Sequence, residues 1–106
     1  MTEKRALTPV EYLAQFSPDA STAFQSLRKA VMQSGPLDAH TCELITLGAF
    51  ATAGVEASFK THAQRLLKDG VKLEALRQAV LVTFAATTTF SRVIEALRWI
   101  EDVSAG

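Results

Sequence analysis

His62 ends the stretch GVEASFKTH, and the residues before it decide what chemistry this histidine can do. Ser58 precedes it by four positions, so the two side chains share one face if the segment is helical. Histidine changes charge near neutral pH and can act as a general acid or base. With Ser58 as a nucleophile, His62 would supply two members of a catalytic triad. The alternative is a buried neutral histidine hydrogen-bonded within the fold, with Ser58 as a small packing residue.

Cys42 is the single cysteine of the sequence. One thiol can form neither an intrachain disulfide nor a cysteine-based metal site, and this favours a reducing compartment. We therefore predict a cytoplasmic protein, and the sequence offers no metal site or cofactor site to predict. Cys42 is interpreted as a semi-buried structural thiol, with a redox role as the alternative.

Length and charge limit the classes of partner. The 106 residues, 48% of them hydrophobic, predict a single domain over residues 1–106, near the small end of what folds alone. Eleven basic and eleven acidic side chains give a net charge of zero, which disfavours nucleic acid and anionic membranes as partners. No apolar run approaches the length of a membrane span, and Met1–Pro9 lacks the apolar stretch of a signal peptide.

Six helical patterns follow one another along the sequence. Thr8, Pro9 and Glu11 have the spacing of a capping box with proline at the first helical position, so a first helix should run to about Gln15. Further helices are predicted from Ser17 to Gly35, from Asp38 to near Gly54, from about Val55 to Asp69, from about Leu73 to Thr87, and from about Ser91 to Val103. No strand pattern competes with them, so the fold class is all-α.

The third and fifth predicted helices are strongly apolar. Residues 44–54 and 79–86 contain few polar side chains, and an isolated bundle of this size would leave part of that surface in water. Burial between subunits solves this problem, so we predict a homo-oligomer.

Three segments resemble the carboxymuconolactone decarboxylase family, which includes the alkylhydroperoxidase D-like proteins. They are PLDAHTCELITLGAFATAG at 36–54, HAQRLLKDGV at 62–71 and LEALRQAVLVTFAA at 73–86. Each is an amphipathic helix with a cap, and their order and spacing carry the resemblance, which covers about Phe24 to Leu97. It implies a six-helix alkylhydroperoxidase D-like subunit, commonly assembled as trimers or hexamers.

Peroxidatic members of the family carry two cysteines and a histidine on the fourth helix, with a glutamate on the helix before. The resemblance puts the glutamate at Glu43 and the histidine at His62, but the cysteine positions hold Val55 and Ser58. Peroxide reduction of this type needs one thiolate to attack and a second thiol to resolve the sulfenic acid. A thiol peroxidase is therefore disfavoured, since Cys42 alone cannot form the intramolecular disulfide.

The decarboxylase branch also lacks the cysteine pair and keeps a histidine at this place. The resemblance thus implies a cofactor-free lyase that performs acid/base chemistry on a small carboxylate or lactone, with His62 as acid/base and Glu43 as its orienting partner. That branch usually has a basic residue two positions after the histidine. Here that position holds Gln64. Arg65 comes one position later and is predicted to lie on a different helical face from Gln64.

Glu43 lies on a largely apolar stripe with Leu47 and Phe50. A buried carboxylate is costly unless it is paired. A structural Glu43–His62 hydrogen bond and a proton-relay pair both satisfy this requirement. Two classes of function therefore stay open. The first is the acid/base enzyme, and the second is a non-catalytic oligomeric binding or interaction protein in which these residues are structural.

Overall fold

The computed structural model describes residues 7–105, which form six α-helices and no strand. The helices are α1 (Pro9–Phe16), α2 (Pro18–Met32), α3 (Ala39–Ala53), α4 (Glu56–Lys68), α5 (Leu73–Phe84) and α6 (Phe90–Ala105). The predicted all-α, six-helix fold is confirmed. None of the helices in this part of the chain combines the length and the apolar character that crossing a bilayer requires.

The described residues fall into two compact units, divided in sequence between Pro36 and Leu37. The first contains α1 and α2, and the second contains α3 to α6. The single domain that chain length suggests stays a prediction.

In the first unit, side-chain hydrogen bonds define both helix starts. The Thr8 hydroxyl accepts from the Glu11 N–H at 3.2 Å, and the Glu11 carboxylate accepts from the Thr8 N–H at 2.9 Å, which completes the predicted capping box. At the start of α2 the Ser17 hydroxyl accepts from the Ala20 N–H at 3.1 Å. The buried Ser21 hydroxyl donates to the Val10 carbonyl at 2.9 Å and so ties α2 to α1.

The second unit has one hydrophobic core, to which all four of its helices contribute. Phe59 and Trp99 meet there with ring centroids 5.4 Å apart. The buried apolar residues are Leu47, Ala51, Phe59, Ala63, Leu66, Leu76, Val80, Val93, Ala96, Trp99 and Ile100. This core fixes α3 and α4 against each other, and these are the helices that carry the candidate site.

The end of α5 differs from the prediction. The helix stops at Phe84, whereas the apolar pattern suggested Thr87. The Thr83 carbonyl accepts from the N–H groups of Ala86, Thr87 and Thr88, so the chain turns there and does not add another helical turn. The last helix extends to Ala105, past the predicted end at Val103.

Gly54 ends α3 in the left-handed region, with φ of 75°. An added Cβ would also overlap the Arg92 guanidinium. We expect Gly54→Ala to lower the free energy of unfolding by about 1–2 kcal/mol for the backbone alone, and by more if Arg92 cannot move without loss. Denaturant titration measures the change.

Two glycines provide controls for this substitution. Gly70 has φ of 92° and no atom near its Cβ position, so Gly70→Ala isolates the backbone cost. Gly35 has no positive φ, and a Cβ added there would contact no other atom. Gly35→Ala should therefore change the free energy of unfolding little. Wild-type stability in Gly54→Ala would contradict this account of the α3 terminus.

Lys60 links α4 to α6 and gives a pH-dependent contribution to stability. Its Nζ lies 2.8 Å from Glu56 Oε2 and 3.1 Å from Asp102 Oδ2. The hydrogen bond to Glu56, followed by that to Asp102, raises the Lys60 pKa above its ordinary 10.5. Because the folded-state pKa is the higher one, the contribution is complete below pH 10.5 and is lost as pH rises through the folded-state value.

Unfolding of wild type and Lys60→Met at about pH 9 and about pH 12 checks this expectation. The wild type should be more stable than Lys60→Met at the lower pH, and its advantage should be smaller at the higher one. An advantage that is the same at both pH values would refute the assignment.

Candidate functional site

His62 and Glu43 form a shielded hydrogen-bond contact between α4 and α3. His62 Nδ1 lies 2.8 Å from Glu43 Oε2, and the two side chains are 10% and 13% exposed. An ionised carboxylate can only accept, so Nδ1 carries a proton in this contact. In the neutral imidazole the lone pair then belongs to Nε2, the atom suited to proton transfer.

The turn between α3 and α4 brings these residues together. The N–H groups of Gly54 and Val55 both donate to the Phe50 carbonyl, which folds α4 back against α3. The Phe50 ring packs against the His62 imidazole with centroids 5.1 Å apart. Packing on one side and a carboxylate on Nδ1 therefore hold the imidazole in one orientation.

Arg65 lies in the same cluster, although the sequence did not predict it as a site residue. Its Nη1 lies 3.7 Å from Glu43 Oε1, while His62 contacts the other oxygen of that carboxylate. Residues three apart are neighbours on a helix, and the arginine side chain is long enough to reach the carboxylate that His62 contacts. This spacing from His62 is the sequence feature that could have revealed it.

Ser58 lies on α4, one turn before His62, and is half-buried. Within residues 7–105, no hydrogen bond joins its hydroxyl to the imidazole. A role for Ser58 as nucleophile stays a prediction. Cys42 is half-buried on α3 with its Sγ 3.8 Å from the Leu37 carbonyl oxygen.

No three histidine, cysteine, aspartate or glutamate side chains in the described part of the chain cluster closely enough to hold a metal ion.

A separate apolar groove of about 660 Å³ lies between α3 and α5. The helices approach closely at Gly48, where an added Cβ would come within 3.2 Å of the Ala79 carbonyl oxygen. The residues that line the groove are Thr41, Leu44, Ile45, Gly48, Ala49, Thr52, Ala53, Ala79, Val82, Thr83, Ala86 and Thr87. Neither His62 nor Glu43 lines it, so the groove and the polar cluster are distinct features.

The fold is all-helical, and comparison with known families identifies the class of protein to which it belongs. The chain belongs to the carboxymuconolactone decarboxylase family, which it matches over residues 18–102. Comparisons with curated proteins and with solved structures found no match. The family resemblance read from the sequence is confirmed.

Proposed function

We propose that this protein is a cofactor-free enzyme that performs acid/base chemistry on a small carboxylate or lactone. His62 is the acid/base, and Glu43 orients it. The observation that carries the proposal is the 2.8 Å contact between His62 Nδ1 and Glu43 Oε2 in a setting where both side chains are about nine-tenths shielded. A carboxylate in this position fixes the imidazole tautomer and stabilises the imidazolium that forms during proton transfer.

The family name indicates one reaction that this pair can serve, the decarboxylation of a lactone that bears carboxylates. The bond between the ring carbon and the leaving carboxylate breaks, and CO₂ departs. The bonding electron pair passes into the conjugated carbonyl system of the substrate. Protonated His62 then delivers its proton to carbon, and solvent returns a proton to the imidazole.

An assay with carboxymuconolactone and with related small lactones and carboxylates tests the proposal. Product formation is the measured quantity. Wild type should turn over at least one compound of this set, and His62→Asn should do so far more slowly. Equal turnover of every compound by wild type and His62→Asn, or no turnover by either, would overturn the proposal.

The non-catalytic alternative is favoured by the groove between α3 and α5. A pocket of about 660 Å³ is large enough for a small molecule, and most of its lining is apolar. In this alternative the Glu43–His62 bond only stabilises the packing of α4 on α3. Ligand binding in the groove without turnover, unaffected by His62→Asn, would support it.

The positions of the peroxidatic cysteines weigh against a thiol peroxidase. Val55 and Ser58 occupy them, and neither side chain can form a sulfenic acid. The proposal of a cytoplasmic location rests on the single cysteine of the chain.

We also propose that the protein is a homo-oligomer, a trimer or a hexamer, assembled through α3 and α5. Members of the family are often oligomeric. Large apolar side chains on α3, on α5 and at the start of α6 are about half exposed or more: Ile45, Leu81, Val82, Phe84 and Phe90. Burying them between subunits would remove this surface from water.

Replacement of Val82 by lysine tests the assembly, because Val82 is 59% exposed and lines the groove. Light scattering should give a mass of several times 11.5 kDa for wild type and a lower mass for Val82→Lys, since the lysine would be buried without a partner. Gln78→Lys, an exposed site on the same helix, is the matched control. A monomeric wild type would contradict the assembly.

A further inference from the structure

Arg65 stands beside the Glu43–His62 pair, in an ion-pair contact with Glu43 that is too long for an ordinary hydrogen bond. Its Nη1 is 3.7 Å from Glu43 Oε1, which is longer than the 2.7–3.2 Å of an ordinary N–H···O hydrogen bond. Its side chain is 49% exposed, whereas those of Glu43 and His62 are 13% and 10% exposed. The cluster is therefore graded, with the carboxylate and imidazole inside and the guanidinium at the solvent side.

The hydrogen-bonding capacity of Arg65 is largely unused by the protein. Within residues 7–105, the guanidinium donates no hydrogen bond that meets normal geometry. A guanidinium offers five N–H donors in a planar fork that matches a carboxylate with two parallel hydrogen bonds. A second carboxylate can therefore bind Arg65 while Glu43 keeps its contact with His62.

Charge balance points the same way. The negative charge of Glu43 and the positive charge of Arg65 offset each other, so in the state in which His62 is protonated these three side chains together carry one net positive charge. A monoanionic ligand then makes the occupied cluster neutral. Arg65 and His62 contact the two oxygens of one carboxylate, so the guanidinium and the imidazole are both neighbours of Glu43.

We propose that Arg65 is the carboxylate-binding residue of this site and that its ligand is a small organic anion. This inference rests on the proposed function, whose substrate class it narrows to compounds with a carboxylate that is retained in the reaction. A carboxylate bound to arginine is stabilised as an anion, so it anchors the substrate and is not the group lost as CO₂.

Binding of benzoate, with benzamide as its neutral counterpart, tests the inference without requiring turnover. In ¹H–¹⁵N spectra, benzoate should cause saturable shifts in α4 amides near His62, and benzamide should not. Arg65→Gln should weaken benzoate binding by about tenfold or more, since charge-assisted bidentate contacts are the strong ones. Arg65→Lys should keep part of the affinity, and Arg98→Gln, at an exposed arginine of α6, should match wild type.

The outcomes separate this inference from the proposed function. Absence of benzoate binding to wild type, equal binding by Arg65→Gln, or equal binding of benzamide would each overturn the role of Arg65. Arg65-dependent binding without turnover of any lactone or carboxylate would support the anion site and count against the enzyme. With a turned-over substrate, Arg65→Gln should raise KM more than it lowers kcat, whereas loss of a merely structural ion pair should leave KM unchanged.

Discussion

Replacement of His62 by asparagine should lower kcat for a carboxylate or lactone substrate by about 10²–10⁴-fold, the range that a positioned general acid or base contributes. The asparagine amide can donate to Glu43 from nearly the same place as His62 Nδ1, which limits structural damage. It cannot take up or release a proton at neutral pH, so the chemistry is removed and the hydrogen bond is kept. Steady-state kinetics measure the loss.

Two controls decide what such a loss means. A denaturant titration of His62→Asn should give stability close to that of wild type, because the contact with Glu43 is retained. Ser58→Ala should keep most of the activity if His62 acts directly on the substrate. A loss at Ser58→Ala as large as that at His62→Asn would instead support Ser58 as a nucleophile activated by the histidine.

Phe59→Ala should lower the free energy of unfolding by about 3–5 kcal/mol. Phe59 is fully buried, and its ring packs against Trp99 of α6. Truncation removes apolar contact area and leaves a cavity at the centre of the core that joins α4 to α6. This is a large fraction of the stability of a small protein.

Denaturant titration of Phe59→Ala beside Phe16→Ala checks this prediction. Phe16 lies on α1 and is 71% exposed, so its truncation should cost far less. Equal losses for the two variants would contradict the assignment of Phe59 to the core.

The helix starts could be predicted because short-range chemistry defines them. Thr8 with Glu11 forms the capping box that their spacing suggests, and Asp38 accepts from the Thr41 N–H at 2.8 Å as the cap of α3. The end of α5 could not be predicted in the same way. The pattern through Ala85 and Ala86 is compatible with a helix, and the turn there also depends on the contact of Thr88 with Thr52, a residue distant in sequence.

The candidate site was predictable in part. Glu43 and His62 came from the family resemblance, and their contact agrees with the cost of burying an unpaired carboxylate. Arg65 was missed because the family pattern places a basic residue two positions after the histidine, whereas Arg65 lies three positions after it. The apolar character of α3 and α5 was visible in the sequence, but the groove between them depends on their close approach at Gly48, which no local pattern encodes.

The central claim is that His62 is the acid/base of the site and that Glu43 acts through it. The most direct test is a double-mutant cycle of Glu43→Ala and His62→Asn in the turnover assay. If Glu43 works through His62, each single substitution lowers kcat, and Glu43→Ala has little further effect once His62 is asparagine. If the pair is only structural, neither substitution changes kcat beyond its effect on the amount of folded protein. Losses that multiply in the double variant would contradict the claim that the two residues act as one unit.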